Sequence, residues 1–281
     1  MTKTGLVMEG GAMRGMFTCG VTDVFMENGI TFDGAIGVSA GATFGCNIKS
    51  GQIGRALRYN KKYGRDWRYC SIRSLLMTGD LYGADFCYRE LVDELDPFDR
   101  KAFQSNPMEF YVVAADVQTG EAVYHRCAEG NDRDITWIRA SASMPIVSRP
   151  VEIDGFRLLD GGIVDSIPCA YLERAGFTRN VIILTQPEDY QKAPASFLIL
   201  ALLRRYPKIA EAMAVRHERY NRQTAEIKTM EGSGSVFVIR PPEDLRISRT
   251  EKDPAELERV YQIGRRAAEE KLSGLQSFLA H

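Results

Sequence analysis

The stretch Ala35-Ile36-Gly37-Val38-Ser39-Ala40-Gly41 decides how this chain of 281 residues is read. A short apolar segment, Ala35-Ile36, enters a Gly-x-Ser-x-Gly pentapeptide, and residues 42–49 leave it with helical character. Strand, sharp turn and helix in that order make a nucleophile elbow, with the serine on a strained turn that lifts its hydroxyl away from the sheet. Gly37 and Gly41 flank it because the incoming strand and outgoing helix nearly touch there, and a Cβ at either would clash. Alone, the pentapeptide is equally an ordinary tight turn. Its placement and a distant partner have to decide.

Upstream, Leu6-Val7-Met8 predicts a first strand, ending in the turn Glu9-Gly10-Gly11-Ala12-Met13-Arg14-Gly15. Phe17, Val21, Val24 and Phe25 keep helical spacing over residues 16–28, and Gly29 stops that helix. Downstream, residues 52–100 are helical, basic and aromatic. Residues 109–116 form a buried-strand run that Gln118-Thr119-Gly120 turns into a hairpin partner at 122–125. A helix over 134–143 ends at Met144-Pro145. Residues 151–159, broken by a turn at Asp154-Gly155, run into Asp160-Gly161-Gly162. A helix at 168–174, a strand at 181–184, two helical stretches, a strand at 236–239 and a long helix from Pro254 complete the chain. Strands alternating with helices predict an α/β fold, a three-layer α/β/α arrangement around a mostly parallel central sheet. The expected organisation is one domain over residues 1–281 with a helical C-terminal elaboration from about 190.

Hydrophobic residues make up 44% of the chain and charged residues 26%, with a formal net charge of −1. These are ordinary globular values and give no electrostatic reason to expect a nucleic acid partner. Strand residues begin almost directly after Met1-Thr2-Lys3, leaving no room for a signal peptide. The longest purely apolar run, residues 197–203, is far below the roughly 20 needed to span a bilayer. Cys19, Cys46, Cys70, Cys87, Cys127 and Cys169 show no CxxC spacing and read as reduced, small apolar residues of a cytoplasmic protein. His125, His217 and His281 lie far apart in sequence, and neither a metal nor a cofactor is expected.

Two further constellations bear on chemistry. The glycine-rich turn at 10–15 aims backbone N–H groups at one spot at a helix N-terminus, a site for a phosphate or a developing oxyanion. A dinucleotide fingerprint would need glycine where Ala12 stands, although Asp33 lies at a suitable distance for a ribose contact. That reading leaves Ser39 and Asp160-Gly161-Gly162 unexplained; the oxyanion reading uses the same physics and accounts for Ser39. Asp160 closes an apolar run at a strand end, with glycines that permit close backbone approach; in isolation it is a turn aspartate. A serine nucleophile needs a base within hydrogen-bond reach. His125 sits in a strand-like run, His217 in a charged helix and His281 at the last residue, all better read as structural or solvated. If the elbow is real and no histidine serves it, a carboxylate has to.

Together these residues resemble a bacterial patatin-like phospholipase, a lipid acyl hydrolase with a Ser–Asp dyad. The Gly10 to Gly15 turn with Arg14, the Gly37 to Gly41 elbow and Asp160-Gly161-Gly162 match in order over about residues 4 to 185. The segment Ala140-Ser141-Ala142-Ser143-Met144-Pro145, with Pro150-Val151, is similar to the family's stretch before the dyad aspartate. The resemblance implies a patatin-like fold, Ser39 as nucleophile, Asp160 as base, and the N–H groups of Gly10, Gly11 and Ala12 as oxyanion hole. Arg14 and Gly15 then support the loop, and no cofactor is needed. Ala12 departs from the family's third glycine; it keeps its N–H, and only a positive φ would cost on the order of 1 kcal/mol.

The implied substrate is a lipid or other acyl ester. A small-ester or thioester hydrolase, a nucleotide- or phosphate-binding protein using Gly10 to Gly15, and a catalytically silent lipid binder remain as rivals. Head group, chain length and oligomeric state stay open at this point. Residues 55–73 interleave arginines and lysines with Tyr59, Tyr63, Trp67 and Tyr69, which suits an anionic lipid surface; an ordinary solvated helix face is the preferred expectation. Residues 197–203, followed by Arg204-Arg205, fit a lid or interfacial helix, with a buried helix preferred. A peripheral position on the inner face of the membrane is therefore a secondary expectation.

Overall fold

Strand residues that are apolar on both faces need helices on both faces, and that requirement shapes the sheet. In the computed structural model, which describes residues 2–280, eight strands join in one sheet. In chain order these are β1 (Lys3–Met8), β2 (Gly34–Val38), β3 (Glu109–Asp116), β4 (Ala122–Cys127), β5 (Val151–Ile153), β6 (Phe156–Asp160), β7 (Phe177–Ile183) and β8 (Val236–Ile239). The helices are α1 (Gly15–Glu27), α2 (Ala40–Ser50), α3 (Arg55–Tyr63), α4 (Ile72–Thr78), α5 (Arg100–Ser105) and α6 (Asp132–Ser141). They continue with α7 (Cys169–Arg174), α8 (Phe197–Leu202), α9 (Pro207–Ala214), α10 (Arg216–Gly232) and α11 (Pro254–Ala280). A π-helix spans Phe86–Leu95.

Strands β3, β2, β1, β7 and β8 are parallel neighbours in that order, and β4, β5 and β6 add antiparallel pairings beyond β3. The pleat sorts side chains onto the two faces of the sheet. Leu6, Met8, Val181 and Ile183 pack with α1, α2, α6 and α11, whereas Val7, Ile36, Val38 and Ile182 pack with α7 and α10. This is the expected layered α/β architecture with a mostly parallel sheet.

The register on β3 positions the site. Strand β4 pairs along residues 110–115 of β3, so β2, which pairs along 109–113, must occupy the opposite edge. Strand β6 pairs at Ala114–Asp116, where β4 already holds one edge, and so shares the edge of β2. Val38 lies opposite Val113 and Asp160 opposite Ala114. The last residues of β2 and β6 therefore meet end to end along one strand.

Three expectations need correction. The two helical stretches between β7 and β8 are three, α8, α9 and α10. Residues 197–203 are not a buried helix: no residue of α8 is buried, and only Leu203 beyond it enters the core. The core beneath is already filled by Leu203, Ile209 and Ala212, so α8 rides over it. Residues 55–73 are not a plain solvated face either. Arg55, Tyr59 and Tyr69 are buried, with the Arg55 guanidinium donating to the Asp96 carbonyl and to Asn47 Oδ1. A guanidinium satisfied by fixed acceptors can enter a core that a free charge cannot.

Candidate functional site

Ser39 sits between β2 and α2 with φ +55° and ψ −119°, a sparsely populated positive-φ conformation that costs an L-residue on the order of 1–3 kcal/mol. The flanking glycines are required by contact: a Cβ on Gly37 would stand 2.3 Å from the Gly41 carbonyl oxygen, and one on Gly41 2.3 Å from that of Met8. The Ser39 N–H donates to Ser141 Oγ at 3.0 Å, so the last residue of α6 braces the elbow.

Ser39 Oγ–H donates to Asp160 Oδ2 at 2.6 Å. The Asp160 carboxylate is held in turn by the Gly162 N–H, 2.8 Å from Oδ1, and the Asp160 N–H donates to the Ser143 carbonyl at 2.8 Å. Gly161 permits the turn, because a Cβ there would lie 2.2 Å from the Val113 carbonyl oxygen. Burial pushes the Asp160 carboxyl above the ordinary aspartate value, while the Ser39 hydroxyl, the Gly162 N–H, Arg216 and Arg249 pull the other way. Removing a carboxylate from water favours its neutral form, which makes it a stronger base when ionised.

The turn after β1 faces the same spot. A Cβ on Gly10 would come within 3.0 Å of the Ser39 Cβ. Among the described residues, the N–H groups of Gly10 and Gly11 donate to no protein acceptor. Ala12 has φ +50°, the left-handed conformation in which glycine would be unstrained. Glu9 anchors the turn by accepting from the Thr185 N–H at 2.6 Å and the Tyr220 hydroxyl at 2.8 Å, and the Thr185 hydroxyl donates to the Gly10 carbonyl at 3.1 Å. Arg14 lies beside Gly11 with its buried Nε unpaired. Gly15 lets α1 approach α2, since a Cβ there would meet the Phe44 ring at 2.8 Å.

Two recesses open on Ser39. One is apolar, lined by Phe44, Tyr59, Tyr69, Tyr82, Tyr88 and Leu91. The other is wider, about 610 Å³, with a mixed lining that sets Gly10, Gly11, Arg14, Asp160, Lys192 and Arg216 beside apolar Val147, Ile163 and Met213. Ala12, Ser39 and Met144 border both. Ile146, with φ +76°, is a strained β-branched residue on the cavity wall.

His217 also lines the cavity, but its imidazole lies 3.9 Å from Glu218 and Ser39 Oγ–H donates to Asp160 instead. His125 is elsewhere, stacked on Trp137 with Nε2 3.3 Å from Asp134. His281 lies outside the described residues. His125, Cys127 and Asp134 bring ligand-type atoms within 4.8 Å of one another. Asp134 is occupied by the N–H groups of Glu129 and Gly130, and burial followed by Asp134 itself pushes the Cys127 thiol well up. That cluster is a capped turn with a protonated thiol, a poor metal site.

Sequence reading did not find Ser141, Lys192, Arg216 and Arg249. Ser141 lay inside the quoted Ala-Ser-Ala-Ser run without a role; the three cations carry no local motif.

The α/β fold thus sets a strand-end serine beside a carboxylate. A sequence profile of the patatin-like phospholipase family matches residues 6–172, and the chain belongs to that family. At the level of the family the activity is lipid acyl hydrolysis. A second profile, described as a domain of unknown function (DUF6363), matches residues 206–280. An uncharacterized Escherichia coli protein, YjjU, is 30% identical over 94% of this chain and 75% of its own length. An uncharacterized NTE family protein of Mycobacterium tuberculosis is 26% identical over 69% of the chain and 51% of its own. Lysophospholipase NTE1 of Debaryomyces hansenii is 24% identical over 96% of the chain, which spans only 18% of that protein. The crystal structure of VipD from Legionella pneumophila aligns over 96% of this chain and 67% of its own, at 14% identity and a TM-score of 0.42.

Proposed function

We propose that the chain hydrolyses carboxyl esters of lipids through a Ser39–Asp160 dyad. The single observation behind this is the 2.6 Å hydrogen bond from Ser39 Oγ to Asp160 Oδ2 at the mouth of two dissimilar recesses. Ser39 Oγ attacks the ester carbon as its proton passes to Asp160. The N–H groups of Gly10, Gly11 and Ala12 hold the oxyanion, and Arg14 and Gly15 keep their loop in place. Asp160 returns the proton to the leaving alcohol, and a water deprotonated by Asp160 then releases the acyl group from Ser39. An ordinary aspartate, near pKa 3.9, is a weak base for an alcohol. The oxyanion donors, at about 2.7–4 kcal/mol each, must therefore supply much of the barrier lowering. A phosphate- or nucleotide-binding protein would use the glycine turn alone, with no part for the Ser39–Asp160 contact.

We read residues 190–280 as an extension of the same domain, since β8 pairs in parallel with β7. Peripheral contact with a lipid surface has support in α4 and α8, where Leu76 is 81% and Phe197 78% exposed. Of the two, α8 adjoins the cavity, which Ile199 lines; beyond α4, the Leu81 N–H donates to the carbonyl of the lining residue Val147. No helix among the described residues is long and apolar enough to cross a membrane. Six free cysteines suit a reducing compartment such as the cytoplasm.

A fluorophosphonate probe tests the reading. It is expected to label Ser39, and Ser39→Ala to remove both label and ester hydrolysis. Asp160→Asn should lower kcat at least about a hundredfold. Hydrolysis that survives Asp160→Asn but disappears in His217→Ala would overturn the base assignment. Rates on p-nitrophenyl esters, thioesters and phospholipids separate a lipid hydrolase from a small-ester one.

A further inference from the structure

The wider cavity beside Ser39 has an uneven charge balance. Four cations line it: Arg14 from the glycine turn, Lys192 ahead of α8, Arg216 at the start of α10, and Arg249 at the exposed rim. Among the described residues none of the four is ion-paired with a carboxylate. Arg216 spends its Nε–H on the Gly162 carbonyl, Arg14 Nε is buried and unpaired, and Lys192 Nζ lies over the Tyr220 ring at 4.0 Å. The two carboxylates of the lining are engaged, Glu9 by Thr185 and Tyr220 and Asp160 by Ser39 and Gly162.

Like charges gathered in a partly desolvated space repel, and the cost shows on the weakest of them. Burial, and then Arg216, bring the Lys192 ammonium down to about 7, with Arg14 and Arg249 adding to the effect and Glu9 opposing it. Against the two carboxylates Glu9 and Asp160, four cations leave the lining with excess positive charge, which an entering anion offsets. Guanidinium forks and an ammonium are the donors that phosphate oxygens recognise. Three of the four cations lie beyond residue 172, where the family match ends.

The position of Ser39 assigns the two sides of the ester. The apolar recess, about 70 Å³, takes the carbons of an acyl chain next to the ester, which leaves the larger cationic cavity for the alcohol. We infer that this alcohol carries a phosphate held by Arg14, Lys192, Arg216 and Arg249, so that the substrate is an acyl glycerophosphate without a cationic head group. A choline or ethanolamine would place a fifth cation among four, with no free carboxylate to meet it. The inference rests on the hydrolase reading and narrows it.

The test compares kcat/KM for lysophosphatidate, lysophosphatidylcholine and monoacylglycerol with one acyl chain. Wild type is expected to favour lysophosphatidate over both others by about tenfold or more. The Lys192→Met/Arg249→Gln double variant should lose about tenfold of the lysophosphatidate-to-monoacylglycerol ratio. Arg249→Gln alone, at an exposed position that the fold does not need, should lose part of it. Equal rates on the three lipids, or a ratio unmoved in both variants, would overturn the inference while leaving the hydrolase reading intact. Absence of hydrolysis and of fluorophosphonate labelling would instead remove the hydrolase reading. Calorimetry then judges the phosphate site directly on the full chain and on Ser39→Ala. Glycerol phosphate should bind, and bind about tenfold more weakly to the double variant; no binding, or binding unchanged in that variant, overturns the site. Inorganic phosphate binding as tightly as glycerol phosphate, with no preference among the lipids, would mark a free-phosphate site and overturn the lipid assignment.

Discussion

In the proposed dyad Asp160 has to be ionised to accept the Ser39 proton, so its environment would set the acid limb of activity. Burial raises its pKa; Ser39, Gly162, Arg216 and Arg249 lower it. Activity is therefore expected to fall on acidification at a pH above the ordinary aspartate range. Arg216→Met removes one opposing cation, so the acid limb of kcat/KM should move to higher pH; Arg216→Lys should restore its position. A pH profile on an uncharged ester checks this, and a limb unmoved by Arg216→Met would remove Arg216 from the electrostatics of the base. Ser39 and Asp160 were legible in the sequence because each sits inside a local signature: small residues around a serine, glycines after an aspartate. Arg216 was not, since one arginine in a charged helix gives no local sign of what the helix packs against.

Among the elements, α11 contacts α1 through small residues in register. A Cβ on Gly20 would stand 2.1 Å from the Tyr261 carbonyl oxygen, and one on Gly264 2.1 Å from that of Phe17. The close approach lets the Tyr261 hydroxyl reach the buried Asp23 at 2.7 Å and Arg265 pair with Glu27. Gly264→Val should therefore force the helices apart and cost about 1–3 kcal/mol, a fall of several degrees in Tm by circular dichroism. A Tm within a degree of wild type would mean the contact is not close. Helical spacing made both helices readable, and the strands β1, β3 and β8 likewise. Their mutual contact was not, because a glycine inside a helical pattern is read as a weak position until its neighbour is known.

At the scale of the molecule, α8 carries exposed apolar side chains next to the cavity beside Ser39, which its Ile199 lines. Lipid anchoring would explain why Phe197, Leu198 and Leu202 are left in solvent, where isolated side chains of that kind gain nothing. Replacing both Phe197 and Leu198 by serine should reduce co-sedimentation with anionic vesicles several-fold. The loss of activity should be larger on vesicular lipid than on a monomeric ester. Equal losses on both would place α8 in local packing instead of at a surface. The preference for a buried helix at residues 197–203 failed because an apolar run has the same composition whether the core or a lipid surface covers it.

The sequence by itself determined the alternation of strand and helix, the elbow at Ser39, the glycine turn before α1 and the carboxylate at the end of an apolar run. These are properties of a few consecutive residues, governed by backbone sterics and hydrophobic period. Only the tertiary structure decided that β2 and β6 end against each other on one edge of β3, which brings Oγ and Oδ2 to 2.6 Å. It likewise decided that Arg14, Lys192, Arg216 and Arg249 face one cavity. Residues so far apart in the chain share a space only through strand register and helix packing, and those are fixed by the whole core.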